Sequence, residues 1–147
     1  ALRSAGLDAL LLSPGSDLAY LTGYRIFGTE RLTCLVLDRE GGATLVVPGL
    51  EAPRAAAAAP ELALATWGET DDPYALVARH VRGSAAVAVA DQMWAAFVLR
   101  LQAALQRGVD GATPPVAQTP SGTLGPMRRS RHWPRRAMIS CCSFSMP

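Results

Sequence analysis

The stretch Gly6-Leu7-Asp8-Ala9-Leu10-Leu11-Leu12-Ser13-Pro14-Gly15-Ser16-Asp17-Leu18-Ala19-Tyr20-Leu21-Thr22-Gly23 decides the architecture. Residues 7–12 are a continuous apolar run, too short for an independent helix and halted by Ser13-Pro14-Gly15, so they read as a strand covered on both faces. Ser16 or Asp17 is placed to cap a short helix over 18–22 that Gly23 terminates. A fully buried strand feeding directly into a helix belongs to a layered α/β domain rather than to a sandwich or a bundle.

Working outward, residues 2–6 read as the end of a helix. Downstream, 33–37 and 43–47 flank Asp38-Arg39-Glu40-Gly41-Gly42 and predict a hairpin whose two glycines supply positive φ. Pro53 suits a first helical turn, followed by helix over 54–59 up to Pro60. A fourth strand is expected over 62–67. Asp71-Asp72-Pro73 opens a helix through Val81, acids at its positive end and Gly83 beyond it. Residues 85–90 make a fifth strand. Trp94, Phe97, Val98, Leu101 and Leu105 fall at helical spacing within 93–106, ahead of Gly108, and a weak sixth strand is expected over 109–117. The fold class is therefore α/β, a three-layer domain with a mixed five- or six-stranded sheet flanked by helices.

A chain of 147 residues that is 50% hydrophobic and 18% charged has the balance of one globular domain. Cys34, Cys141 and Cys142 are an odd set without a C-x-x-C pair, which argues against a disulfide framework or a zinc knuckle and for a reducing, cytoplasmic setting. Apolar runs fall far short of the ~20 residues that span a bilayer, so no membrane role is expected. All 14 basic residues are arginine, a bias of genome composition. Residues 1–127 carry nine of them against twelve acids, whereas 128–147 carry five and no acid. Apolar periodicity also dissolves there, and the chain divides into a folded domain over 1–127 and a basic tail over 128–147 without regular structure.

Catalytic chemistry needs a nucleophile with a base, paired carboxylates or a metal cluster. His80 sits near a helix C-terminus, where the dipole favours it, and His132 has no carboxylate near it in sequence; neither has an i,i+4 partner. The Asp71/Asp72 and Asp38/Glu40 pairs lie at element boundaries, where caps and turns already require acids. Ser13-Pro14-Gly15-Ser16 lacks P-loop spacing, and the chain has no lysine. Cys34, inside an apolar strand, reads as a buried hydrophobe. No residue is assigned as catalytic and none as a metal ligand. Arg128-Arg129-Ser130-Arg131-His132-Trp133-Pro134-Arg135-Arg136 carries the alternative reading, a small binding module whose tail contacts nucleic acid or another polyanion. Nucleic acid is not the expected partner, because the adjoining domain is acidic and opposes such a footprint.

Several segments in order resemble the N-terminal domain of the creatinase/prolidase (Xaa-Pro peptidase) family. They are Gly6-Leu7-Asp8-Ala9-Leu10-Leu11-Leu12, Asp17-Leu18-Ala19-Tyr20-Leu21-Thr22-Gly23-Tyr24, Glu30-Arg31-Leu32-Thr33, Leu45-Val46-Val47-Pro48, Trp67-Gly68-Glu69-Thr70-Asp71-Asp72-Pro73-Tyr74 and Asp91-Gln92-Met93-Trp94. The likeness, strongest to the actinobacterial dipeptidase branch, implies a domain that mediates subunit association and walls the active site. In that family a second domain holds two divalent metal ions through two Asp, one His and two Glu. Beyond Asp110 this sequence has no acid and a single His, so it cannot supply that set, and a chain with no cofactor and no activity of its own is expected.

The resemblance further implies that residues after the Tyr-Leu-Thr-Gly helix, Tyr24 and Arg25, stand near substrate in the intact enzyme. A cytoplasmic homodimer is expected, with Trp94 and Tyr24 as interface candidates. Leu124-Gly125-Pro126-Met127-Arg128 resembles the link into the catalytic domain, after which the chain departs from the family as a shifted reading frame would.

Overall fold

In the computed structural model the described residues are 2–81, 84, 86–109 and 138–141, of which 108–109 and 138–141 are described by backbone alone. After a 3-10 turn over Arg3–Ala5, the chain forms β1 (Ala9–Leu12), α1 (Ser16–Thr22), β2 (Cys34–Asp38) and β3 (Ala43–Pro48). A second 3-10 turn over Gly49–Glu51 leads into α2 (Ala52–Ala58). Then come β4 (Ala63–Trp67), α3 (Pro73–His80), β5 (Ala86–Val89), α4 (Ala95–Val109) and β6 (Met138–Cys141).

One mixed sheet runs β4-β3-β2-β1-β5-β6. β2 is antiparallel to both β1 and β3, while β4 is parallel to β3, β5 to β1, and β6 to β5. Strand side chains alternate between faces, and each face has its own core. On one face Ala9, Leu11, Cys34, Val36, Val46, Val87 and Val89 meet Val77 of α3 and Phe97 and Leu101 of α4. On the other, Leu12, Leu35, Leu45 and Val47 meet Leu18 of α1 and Ala55 of α2. The three-layer α/β class expected from sequence is what the structure has.

Local chemistry accounts for the element ends. Asp72 caps α3, its Oδ1 accepting from the amides of Tyr74 at 2.9 Å and Ala75 at 3.1 Å. Gly23 ends α1 at φ 71°, in the left-handed region where a glycine costs least. The hairpin between β2 and β3 forms as expected, but only Gly41 has positive φ, at 103°. Gly42 contributes an amide that donates to Asp38 Oδ1 at 2.7 Å, a local side-chain turn bond.

Four expectations need correction. Neither Ser16 nor Asp17 caps α1; the helix starts at Ser16, and the capping position falls on Gly15, which has no side chain to offer. The helix expected from Met93 starts at Ala95 and continues through Gly108 to Val109. That takes Val109 away from a sixth strand over 109–117, the remainder of which lies outside the described residues. The sixth place is filled by Met138–Cys141 of the basic tail, which pairs in parallel with β5, Ile139 opposite Val87; the rest of 128–147 lies outside the described residues. Among the described residues no helix is long and apolar enough to cross a membrane.

Because Leu11 is fully buried on the central strand, Leu11→Ala is expected to lower unfolding free energy by about 2–5 kcal/mol. Leu99→Ala, on the exposed side of α4, is expected to stay within about 0.5 kcal/mol. Urea unfolding of both variants checks this, and equal losses would contradict the assignment of the core.

Candidate functional site

β1, β3, β4 and β5 run in one direction, so the segments that leave them, 13–15, 49–51, 68–72 and 90–94, emerge at one edge of the sheet. The chain enters β2 at the same edge. That edge is where open α/β sheets gather their binding groups. The loops after β1 and β5 touch there: a Cβ on Gly15 would lie 3.4 Å from Gln92 Oε1.

The segment between α1 and β2 runs back to this edge and is held along its course. At its start, Thr22 Oγ1 donates to the Leu18 carbonyl at 2.7 Å and accepts the Tyr24 amide at 3.1 Å, turning the chain back. Gly23 then stands against the Ala58 carbonyl and Arg25 against Arg54, so the chain retraces α2 towards the edge. The Tyr24 ring is 1% exposed, within the core beneath α1 and α2. Its hydroxyl donates to Glu51 Oε2 at 3.0 Å. The Arg54 guanidinium lies 5.8 Å from the Tyr24 ring centroid and 3.7 Å from Glu51, and it donates to the Arg25 carbonyl at 2.6 Å. Burial, with Glu51 beside it, pushes the Tyr24 phenol up to about 12.

At the far end, Trp67 Nε1 donates to the Leu32 carbonyl at 3.0 Å, and Arg31 pairs with Glu69 at 2.6 Å. Between these anchors the segment exposes apolar surface. Phe27 is 92% exposed, and Gly28 lies flat against the Trp94 indole, to which a Cβ would come within 3.7 Å. Trp94, 51% exposed, stacks on Phe97 at 5.5 Å between centroids, and Leu50 after β3 is 82% exposed. The edge therefore carries large apolar side chains on a framework held by hydrogen bonds and ion pairs.

The structure sets Tyr24 and Arg25 against Glu51 and Arg54 at the start of α2, and Trp94 on the edge against Gly28. One placement differs from expectation. Tyr24 is not an exposed aromatic available to a partner; its ring completes a core, because the reversal at Gly23 lays it under α2. Arg25 is exposed. His80 is exposed in the last turn of α3, and Cys34 is buried, its thiol pushed up to about 12 by that burial. Among the described residues no group of three or more His, Cys, Asp or Glu side chains could hold a metal ion, so they do not fit a metal pair. The Arg-rich stretch 128–136 and His132 lie outside the described residues, and nothing in the described fold supports the polyanion-binding alternative.

Glu51, Arg54, Phe27 and Gly28 were not singled out from sequence. Glu51 and Arg54 carry only the signal of an acid and a base flanking a helix start, while Phe27-Gly28, an aromatic followed by glycine, gives no sign of Trp94 across from it.

The fold and its loop-bearing edge define an α/β module, and comparison with known proteins gives its kinship. The family model for the Creatinase/Prolidase N-terminal domain matches residues 1–118, and the chain belongs to that family. It is 43% identical over 109 residues to a probable dipeptidase PepE of Mycobacterium bovis, covering 71% of this chain and 29% of that protein. The crystal structure of dipeptidase PepE from Mycobacterium ulcerans superposes with a TM-score of 0.64 at 42% identity, over 71% of this chain and 29% of that one. The N-terminal domain of a Xaa-Pro dipeptidase from Lactobacillus brevis shares the fold, with a TM-score of 0.66 at 21% identity over 70% of this chain and 81% of that one. The chain thus spans under a third of the length of its PepE relatives.

The Tyr24 phenol gives a direct test of the site's geometry. Its value, raised from 10.0 to about 12, means that the folded state holds the proton more tightly than the unfolded state does. The stabilisation is full below about pH 10 and is lost as pH rises towards 12. Absorbance at 295 nm is expected to show Tyr24 titrating above that range, with Tyr24→Phe removing that step alone. A step already more than half complete by about pH 10.5 would show that the phenol is solvated.

Proposed function

We propose that this chain provides the non-catalytic, associating and active-site-walling domain of a dipeptidase-type metallopeptidase of the cytoplasm, one that acts on Xaa-Pro dipeptides. Two copies pair through the loop-bearing edge. The observation that carries this reading is that Phe27, Trp94 and Leu50, all more than half exposed, stand on segments delivered to that edge. Apolar side chains of this size, gathered on a rigid frame, mark an interaction surface. Their frame is made by the chain itself, with Trp94 braced by Phe97 and the 24–32 segment fixed at both ends, so little ordering remains to be done on association. Kinship to PepE dipeptidases supports the enzyme class. Within such an enzyme, Arg25 is the exposed charged group of the edge that stands nearest the chain reversal, and it is assigned to substrate proximity.

Sedimentation equilibrium at micromolar concentration is expected to show a dimer, its two-fold interface burying more than about 1,000 Å² in total. Phe27→Ala with Trp94→Ala is expected to weaken it at least about tenfold, since truncating central aromatic anchors costs most. A chain that stays at the 15.5 kDa monomer mass, or a dimer indifferent to both substitutions, would overturn the assigned surface. The 147-residue chain is also expected to release no proline from Xaa-Pro dipeptides above blank with added Mn²⁺, Co²⁺ or Zn²⁺. Metal-dependent turnover by the pure chain would contradict the non-catalytic role.

A further inference from the structure

Glu51 and Arg54 have the i,i+3 spacing of an ordinary helix-surface ion pair, which by itself contributes little. What sets them apart is where their other bonds go. Glu51 takes the hydroxyl of Tyr24, and Arg54 reaches both the Tyr24 ring and the backbone carbonyl of Arg25. All of these contacts lead from the start of α2 to two consecutive residues of one neighbouring segment. The Arg25 carbonyl carries no sequence-specific chemistry, and a 2.6 Å bond from a guanidinium to it fixes backbone position rather than recognising a side chain. Past Arg25 the chain exposes Phe27 before Arg31 and Leu32 are anchored at the other end.

We propose that Glu51 and Arg54 form a latch that fixes where Arg25 and Phe27 stand, making them positioning residues for the edge and not merely stabilisers of α2. The latch is read from contacts within one chain, and only its consequence for association rests on the docking reading above. The latch is asymmetric by construction. Tyr24 is held by burial as well as by its hydrogen bond, whereas the Arg25 carbonyl is held by Arg54. Loss of Arg54 therefore releases Arg25 and the residues up to Gly28 while the Tyr24 ring stays in the core.

Amide hydrogen exchange on the full chain, at concentrations low enough to keep it monomeric, tests this. Arg54→Met is expected to speed exchange across residues 24–28 by about tenfold while β1, β2 and β3 keep their protection, the pattern of a local opening. Glu51→Ala is expected to act in the same direction. Arg54→Lys, which keeps the charge near Tyr24 but loses the forked donor, is expected to fall between wild type and Arg54→Met. Glu69→Gln loosens the opposite anchor and is expected to leave 24–28 unchanged. Unaltered exchange at 24–28 in both Arg54→Met and Glu51→Ala would overturn the latch, as would a rise spread evenly through the strands or Arg54→Lys behaving as wild type. Since the measurement is made on the monomer, its failure is separable from failure of the docking surface, which sedimentation reads.

Discussion

β1 is the strand on which the rest of the molecule depends. It joins β2, to which it is antiparallel, to β5, to which it is parallel. Leu11 faces the α3/α4 core and Leu12 the α1/α2 core, so a slip of one residue would exchange the two and unpack both layers at once. The register is fastened at the strand's entry by Asp8. One of its carboxylate oxygens accepts the Ala86 amide at 3.1 Å and the other pairs with Arg39 from the hairpin. A single acid thus ties the starts of β1 and β5 to the turn after β2.

The direction of β1 also decides where function can be placed. With β3, β4 and β5 running the same way, the 3-10 turn that carries Leu50 and Glu51 and the loop that carries Trp94 are delivered to one edge. The segment after α1 has to cross that edge to enter β2. Its position is then set by side chains reaching backbone carbonyls, Arg54 to Arg25 at one end and Trp67 to Leu32 at the other. Rigid anchors at both ends with Phe27 exposed between them are what a preformed contact surface requires. Among the described residues this edge combines exposed apolar side chains with ion pairs and hydrogen bonds that hold its loops.

Much of this was legible in the sequence. Runs such as Leu10-Leu11-Leu12 and Val87-Ala88-Val89 gave the buried strands, Gly23 and Asp72 gave helix ends, and the Asp38 to Gly42 turn gave the hairpin. Those signals are local, with each residue type acting on its own few neighbours. The burial of Tyr24 was not legible, because it depends on the chain climbing back along α2, and its partner Glu51 lies far along the sequence. The Gly28–Trp94 contact likewise joins distant segments through sheet order. At the start of the expected sixth strand, Val109 belongs to α4, whose apolar stripe carries the helix through Gly108, and Met138–Cys141 forms the edge strand beside β5. Arg25 and Trp94 carry signals of resemblance and periodicity in the sequence, whereas the contacts of Glu51 and Arg54 with Tyr24 and Arg25 are visible only in three dimensions.

The central claim is that the loop-bearing edge is the face through which this domain meets its partner copy. Amide protection measured by hydrogen exchange at two protein concentrations, one below and one above the association midpoint, tests it most directly. The account predicts that concentration-dependent protection falls on residues 24–33, 49–54 and 90–99. Protection gained instead at the 38–42 turn or along α3, with the edge unchanged, would contradict it.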